Sequence, residues 1–328
     1  MNLFEYIKNK NRRVIYPQMG AVGLIYTNYT MYDVYRDPEK QLEIARIIES
    51  RIPTDFTYPI DYGVVFIETL GVELMRPDYD FPSSINHPVR VPEDLYQLKQ
   101  PSPYEDGLMP SYLEAIRLIA QTIDKPEMVA LVGPFTLAGE LMDLENLARC
   151  VLKNPGFVDA VLDFCMEAII RFAGAVAKSG ARVIQISEPS ASLISPKHFK
   201  RFITPRLQKI FKAIGETDTG RVLHICGRTD CYLEEMISSG AQILSLDQIM
   251  DLANVAQIVP PQIIIAGNID PVDIMLMGDV SLVKAAAEKL LQDMKPFPNF
   301  MPSFGCDCVL GSPEANIKAF IDTVYKGV

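Results

Sequence analysis

His224-Ile225-Cys226 places a histidine and a cysteine two residues apart at the end of an apolar run, Val222–Cys226. A second thiol pair, Cys306 and Cys308, follows the run Phe300–Gly305. Positions i and i+2 of a strand point to the same face, so His224 and Cys226 can present an imidazole and a thiolate together. If both runs end around one pocket, a thiol of the second pair completes a set of one nitrogen and two sulfurs. Zinc accepts such a set readily. Three protein ligands leave a fourth position open, which is the arrangement of a catalytic zinc rather than a structural one. The bland reading is a core cysteine and a hydrogen-bonded histidine. It serves for any one of these residues and weakens sharply when the pairs fall at two strand ends. Cys150, Cys165 and Cys231 lie on helical stretches and read as packing, while His198 and His87 read as surface residues.

Three further polar residues close apolar runs: Glu188, Asp247 and Asn268. A polar residue in such a place must face a cavity or be paired. All three are therefore expected to line the pocket, Glu188 and Asp247 as candidate catalytic groups and Asn268 as a candidate cofactor-binding group. Asp247 is the candidate for a fourth zinc ligand, or for a group hydrogen-bonded to the ligands. The alternative is that these side chains cap the helices that follow.

The elements that must position these residues alternate strand and helix. Apolar runs at Val129–Gly133, Arg182–Ser187, Val222–Cys226, Ile243–Asp247, Ile263–Gly267 and Phe300–Gly305 are each followed by a helical pattern. Short apolar strands alternating with helices predict a parallel sheet covered on both faces. Two more strands would close an α/β, (β/α)8 TIM barrel. Ala21–Ile25, followed by a helix over Pro38–Arg51, is one candidate, and Phe56–Phe66 is the other. The reading is a single barrel domain over 1–328, with an N-terminal extension over about 1–14 and an irregular excursion over about 72–110. An open doubly wound sheet is the runner-up, but no G-x-G-x-x-G loop follows any strand. In a barrel the C-terminal strand ends carry the site, and His224, Cys226, the Cys306/Cys308 pair, Glu188, Asp247 and Asn268 all lie at one.

With 328 residues, 48% hydrophobic and 22% charged, the chain can bury a large core without disulfides. Lys plus Arg is 31 against 41 for Asp plus Glu, a net charge of −10. A nucleic-acid binder wants the opposite sign, so no nucleic-acid partner is expected. No apolar run is long enough to span a membrane, and the N-terminus lacks the pattern of a signal peptide. The cytoplasm is therefore the expected location, and the six cysteines read as reduced thiols or metal ligands.

Several segments carry a family resemblance. Gly133-Pro-Phe-Thr-Leu-Ala138, Glu188-Pro-Ser-Ala-Ser192, His224-x-Cys226, Gly267-Asn-Ile-Asp-Pro271 and Ser303-Phe-Gly-Cys-Asp307 resemble the uroporphyrinogen decarboxylase superfamily. They look most like its zinc-dependent corrinoid methyltransferase branch, the MtaA/CmuA type. The resemblance implies a TIM barrel with zinc held by His224, Cys226 and Cys306, and it prefers Cys306 over Cys308. It also implies a corrinoid (cobalamin) brought by a separate partner protein, and a small-molecule thiol acceptor or methylated donor. The decarboxylases carry an Arg-rich motif after the first strand. Here Tyr16-Pro-Gln-Met-Gly20-Ala-Val-Gly23 has no Arg, which argues against porphyrinogen decarboxylation. Zinc chemistry agrees, because coordination turns a thiol into the thiolate that attacks a methyl group. A decarboxylase-like lyase and a non-catalytic small-molecule-binding barrel are the competing readings.

Overall fold

The computed structural model describes residues 3–60, 63–78 and 82–327. A two-residue antiparallel pair, β1 (Leu74–Met75) and β2 (Ser83–Ser84), lies apart from the main sheet. The main sheet holds six parallel strands in chain order: β3 (Met128–Val132), β4 (Val183–Ser187), β5 (Gly220–Ile225), β6 (Ile243–Leu246), β7 (Ile264–Ile269) and β8 (Phe300–Phe304). Their largely apolar runs are buried on both faces almost throughout, as strands must be when helices cover one side and a core fills the other.

Two extended segments take the remaining barrel positions. Val14-Ile15-Tyr16 lies beside β8, where the Tyr16 N–H donates to Pro302 O at 3.0 Å and the Ser303 hydroxyl donates to Tyr16 O. Thr57 lies beside β3, donating to Pro126 O at 3.1 Å and accepting from the Met128 N–H at 2.9 Å. From Val14 and Tyr16 round to Met301, all eight positions contribute to one buried cluster. That shared cluster is the filled interior of an α/β barrel. Leu3, from the helix Leu3–Lys8, packs into it at the end away from the strand C-termini.

Between the first two positions no backbone hydrogen bond is present among the described residues. Asp55 bridges them instead. Its buried carboxylate accepts the Ile15 N–H at 2.9 Å and both Arg12 guanidinium nitrogens at 2.8 Å.

The expected strand Ala21–Ile25 is corrected: Gly20–Tyr26 is 3-10 helix. Its apolar side chains pack outward onto the helix Pro38–Arg51, and a side chain at Gly23 would meet Ile44 and Ile48 at 2.6 and 2.9 Å. The strand position lies earlier, at Val14–Tyr16, in part of what the sequence reads as an extension. The segment Phe56–Phe66 is also corrected, because Val64–Thr69 is helical. A helix over Met109–Thr122, which the sequence reading passed over, packs on Pro38–Arg51. The excursion itself is tied to the helix Pro134–Met142. The Val89 N–H donates to Leu141 O at 2.9 Å, and the His87 ring donates to Glu140 O at 2.7 Å.

Candidate metal centre and active site

His224 is the fifth residue of β5, and register places it beside Ser245 of β6. That pairing sets the imidazole. Its Nδ1 faces Ser245 O at 3.2 Å and Ser245 Oγ at 3.1 Å. The carbonyl only accepts, so Nδ1 carries the proton and Nε2 presents its lone pair. Cys226 Sγ lies 3.1 Å from that Nε2, as strand alternation demands. Cys306, just past β8, brings its Sγ to 3.7 Å from Cys226 Sγ and 3.7 Å from His224 Nε2. Tetrahedral zinc would separate two sulfurs by about 3.8 Å and a sulfur from a nitrogen by about 3.6 Å, given its usual bond lengths. The donor set fits the metal in type, both Cys306 separations match its spacing, and the Cys226–His224 separation is about 0.5 Å short of it. The Cys226 thiol is pulled below its ordinary value because Cys306 donates to it, and the same bond pushes Cys306 up. Both sulfurs would bind a cation as thiolates, giving up their protons to it. Cys308 is buried in the apolar core, with its N–H donating to Gln18 O at 2.9 Å.

The polar strand-end residues hold backbone. Glu188 is fully buried, and its carboxylate accepts from the Phe135 N–H at 3.0 Å, the Thr136 N–H at 2.5 Å and the Thr136 hydroxyl at 2.6 Å. It thereby caps the helix Pro134–Met142, which follows a different strand. Gly133 permits the approach, since a Cβ there would lie 2.2 Å from the carboxylate. Burial pushes Glu188 up to about 7 against the pull of those donors. Asp247 accepts from the Gly227 N–H at 2.7 Å and the Ile249 N–H at 3.0 Å. Asn268 donates to Asp247 O at 3.0 Å and Met250 O at 2.7 Å. None of the three lines the cavity beside the triad, contrary to the sequence expectation.

That cavity measures about 330 Å³ and opens beside His224, Cys226 and Cys306. Its walls are mainly apolar, with Ile60, Ile67, Leu131 and Val132 among them. Tyr58 and Asp307 also line it, and sequence reasoning singled out neither. Strand alternation would turn Asp307 away from Cys306, but the chain leaves the strand at Phe304 and bends, so both face the cavity. Burial pushes the Asp307 carboxyl up to about 6. Gln18 and Ser187 complete a polar edge. The Gln185 amide donates to Ser187 Oγ at 2.8 Å, and its carbonyl accepts from Tyr16 and Gln18.

A family model described as Uroporphyrinogen decarboxylase (URO-D) matches residues 19–327. A methylcobamide:CoM methyltransferase, MtbA, of Methanosarcina acetivorans is 34% identical over 317 residues, covering 93% of this chain and 88% of that protein. The protein of the same name from Methanosarcina mazei is 29% identical over 322 residues, covering 94% and 91%. A solved structure of a methyltransferase from Methanosarcina mazei superposes with a TM-score of 0.90 at 25% identity, over 99% of this chain and 97% of that one.

Proposed function

The chain belongs to the uroporphyrinogen decarboxylase family, and from that premise we propose that it is a zinc-dependent methyltransferase. It moves a methyl group between a corrinoid carried by a partner protein and a small-molecule thiol or methylated substrate. The observation that carries the reading is the His224–Cys226–Cys306 triad, a donor set suited to zinc that faces an apolar cavity. Zinc bound there supplies the means to hold a thiol as thiolate at neutral pH, or to polarise a methylated heteroatom.

The protein's own groups orient and exclude. Ser245 fixes the His224 tautomer. Asp247 holds the turn just after Cys226, and Asn268 holds the Asp247 and Met250 carbonyls in turn. All three are positioning residues in this reading, and Glu188 fixes the neighbouring helix. The apolar walls keep water from the reacting sulfur. In the thiol direction the methyl group leaves cobalt without its bonding pair, the sulfur supplies the pair for the new S–C bond, and the thiol proton goes to solvent. Leu193, Ile249 and Met277 follow β4, β6 and β7 respectively and are exposed on the rim at the strand C-termini. An apolar rim around an open site supports docking of a partner protein. No helix among the described residues is long and apolar enough to cross a membrane.

A porphyrinogen decarboxylase must hold several substrate carboxylates. No Arg or Lys lines this cavity among the described residues, and Gln18 and Met19 stand after the first strand position. The test is to incubate zinc-loaded protein with methylcobalamin and a panel of thiols, then with Co(I) cobalamin and methylated donors, following the cobalt spectrum. Methyl transfer in either direction, abolished by Cys226→Ala, is expected. Absence of transfer with zinc fully bound overturns the reading.

A further inference from the structure

The charge of the cavity bears on which small molecule it takes. Its described lining contains two carboxylates, Asp307 beside the triad and Glu140 on the helix Pro134–Met142, and no Lys or Arg. Arg228 is the guanidinium nearest the triad in sequence. It points outward, 71% exposed, and pairs with Asp230 at 3.5 Å. Glu140 accepts a hydrogen bond from Ser84, whereas Asp307 is paired with no Lys or Arg among the described residues. Tyr58 supplies an independent observation. It is 7% exposed and lines the cavity, and its buried hydroxyl has no hydrogen-bond partner among the described residues. A buried orphan hydroxyl on a cavity wall is unfinished until a hydrogen-bonding group arrives.

Resting on the methyltransferase reading, we propose that the small-molecule substrate of this chain bears an ammonium group, recognised by Asp307 and Tyr58, with Glu140 nearer the rim. An anionic thiol is disfavoured. Coenzyme M, named for the relatives' reaction, is 2-mercaptoethanesulfonate. Its sulfonate would enter a mainly apolar cavity lined by two carboxylates and by no described Lys or Arg, where two thiolate ligands already balance a zinc ion's charge. An ammonium group meets the opposite field, a hydroxyl acceptor at Tyr58 and a carboxylate acceptor at Asp307.

Three thiols of matched length separate the charge from the sulfur: 2-aminoethanethiol, 2-mercaptoethanol and 2-mercaptoethanesulfonate. Binding to zinc-loaded protein is read by calorimetry, and methyl transfer from methylcobalamin by the cobalt spectrum. The aminothiol should bind at least about tenfold more tightly than the sulfonate, with the neutral thiol between. Asp307→Asn should collapse that ratio, and Glu140→Gln should reduce it less. Because the ratio is internal to each variant, a partial loss of folded or zinc-loaded protein does not move it. A preference for the sulfonate, or a ratio unchanged in Asp307→Asn, overturns the proposal while leaving the methyltransferase reading standing. No methyl transfer with any thiol or methylated donor overturns the methyltransferase reading itself.

Discussion

Asp247 and Gly227 are joined by a 2.7 Å hydrogen bond, carboxylate to backbone N–H, one residue beyond Cys226. The bond fixes the turn that leaves β5 without putting a carboxylate on the metal position. Asp247→Ala should therefore weaken zinc binding by about 10- to 100-fold rather than abolish it. Competition against a chelating dye measures this. Complete zinc loss, equal to that of a ligand variant, would make Asp247 a ligand.

The triad predicts a clear division among the cysteines. His224→Ala, Cys226→Ala and Cys306→Ala should each lose the zinc, about one ion per chain in the parent. Cys308→Ser should keep it, because that thiol is enclosed by the apolar core. Elemental analysis of the four purified variants decides between Cys306 and Cys308.

Glu188→Ala leaves the Phe135 and Thr136 donors buried without their acceptor. The expected loss is roughly 2–4 kcal/mol of stability, measured by denaturant unfolding. Zinc stoichiometry should survive, since the carboxylate lies outside the cavity. A variant of parental stability that loses methyl transfer would instead assign Glu188 to the chemistry.

Glu314 latches the last helix to the first unit. It accepts from Tyr26 at 2.6 Å and from Arg51 at 2.9 and 2.8 Å, and Lys318 pairs with it as well. Those donors, Lys318 first, hold its carboxyl down to about 2, below the ordinary 4.5. A depressed value means the contribution is full above the ordinary range and is lost as pH falls through 4.5 towards 2. Solvent screening limits the effect to about 1 kcal/mol or less. The parent should exceed Glu314→Gln in stability at pH 6, and the two should converge near pH 2 in acid-unfolding curves. A constant gap would remove the titration from the explanation.

The sequence carried the metal corner further than the rest of the site. His224 and Cys226 follow from strand parity alone, and the family pattern selected Cys306 from the Cys306/Cys308 pair. Asp307 escaped because parity holds only while the chain is a strand, and β8 ends at Phe304. The six later strands were legible because each is a continuous apolar run flanked by helical periodicity. The first two were not. Val14–Tyr16 is three residues long and held by side chains as much as by backbone. Ala21–Ile25 shows the same apolar composition, but its burial is against a helix. Glu188 shows a different limit. A polar strand end looks the same in sequence whether it faces a cavity or caps a helix that follows another strand.

The asymmetry between the two sides of the barrel divides the labour of the pocket. His224 lies in the continuous backbone ladder of β3–β8, and Cys226 and Cys306 follow it within one and two residues. Gln18, Met19, Tyr58 and Ile60 line the opposite side from segments that few backbone bonds tie to the sheet. Local opening starts where such bonds are fewest, so this side is the more yielding wall. Replacing its side chains reshapes the space offered to a ligand while His224, Cys226 and Cys306 keep their spacing. A barrel built this way can change what it accepts without rebuilding what it does.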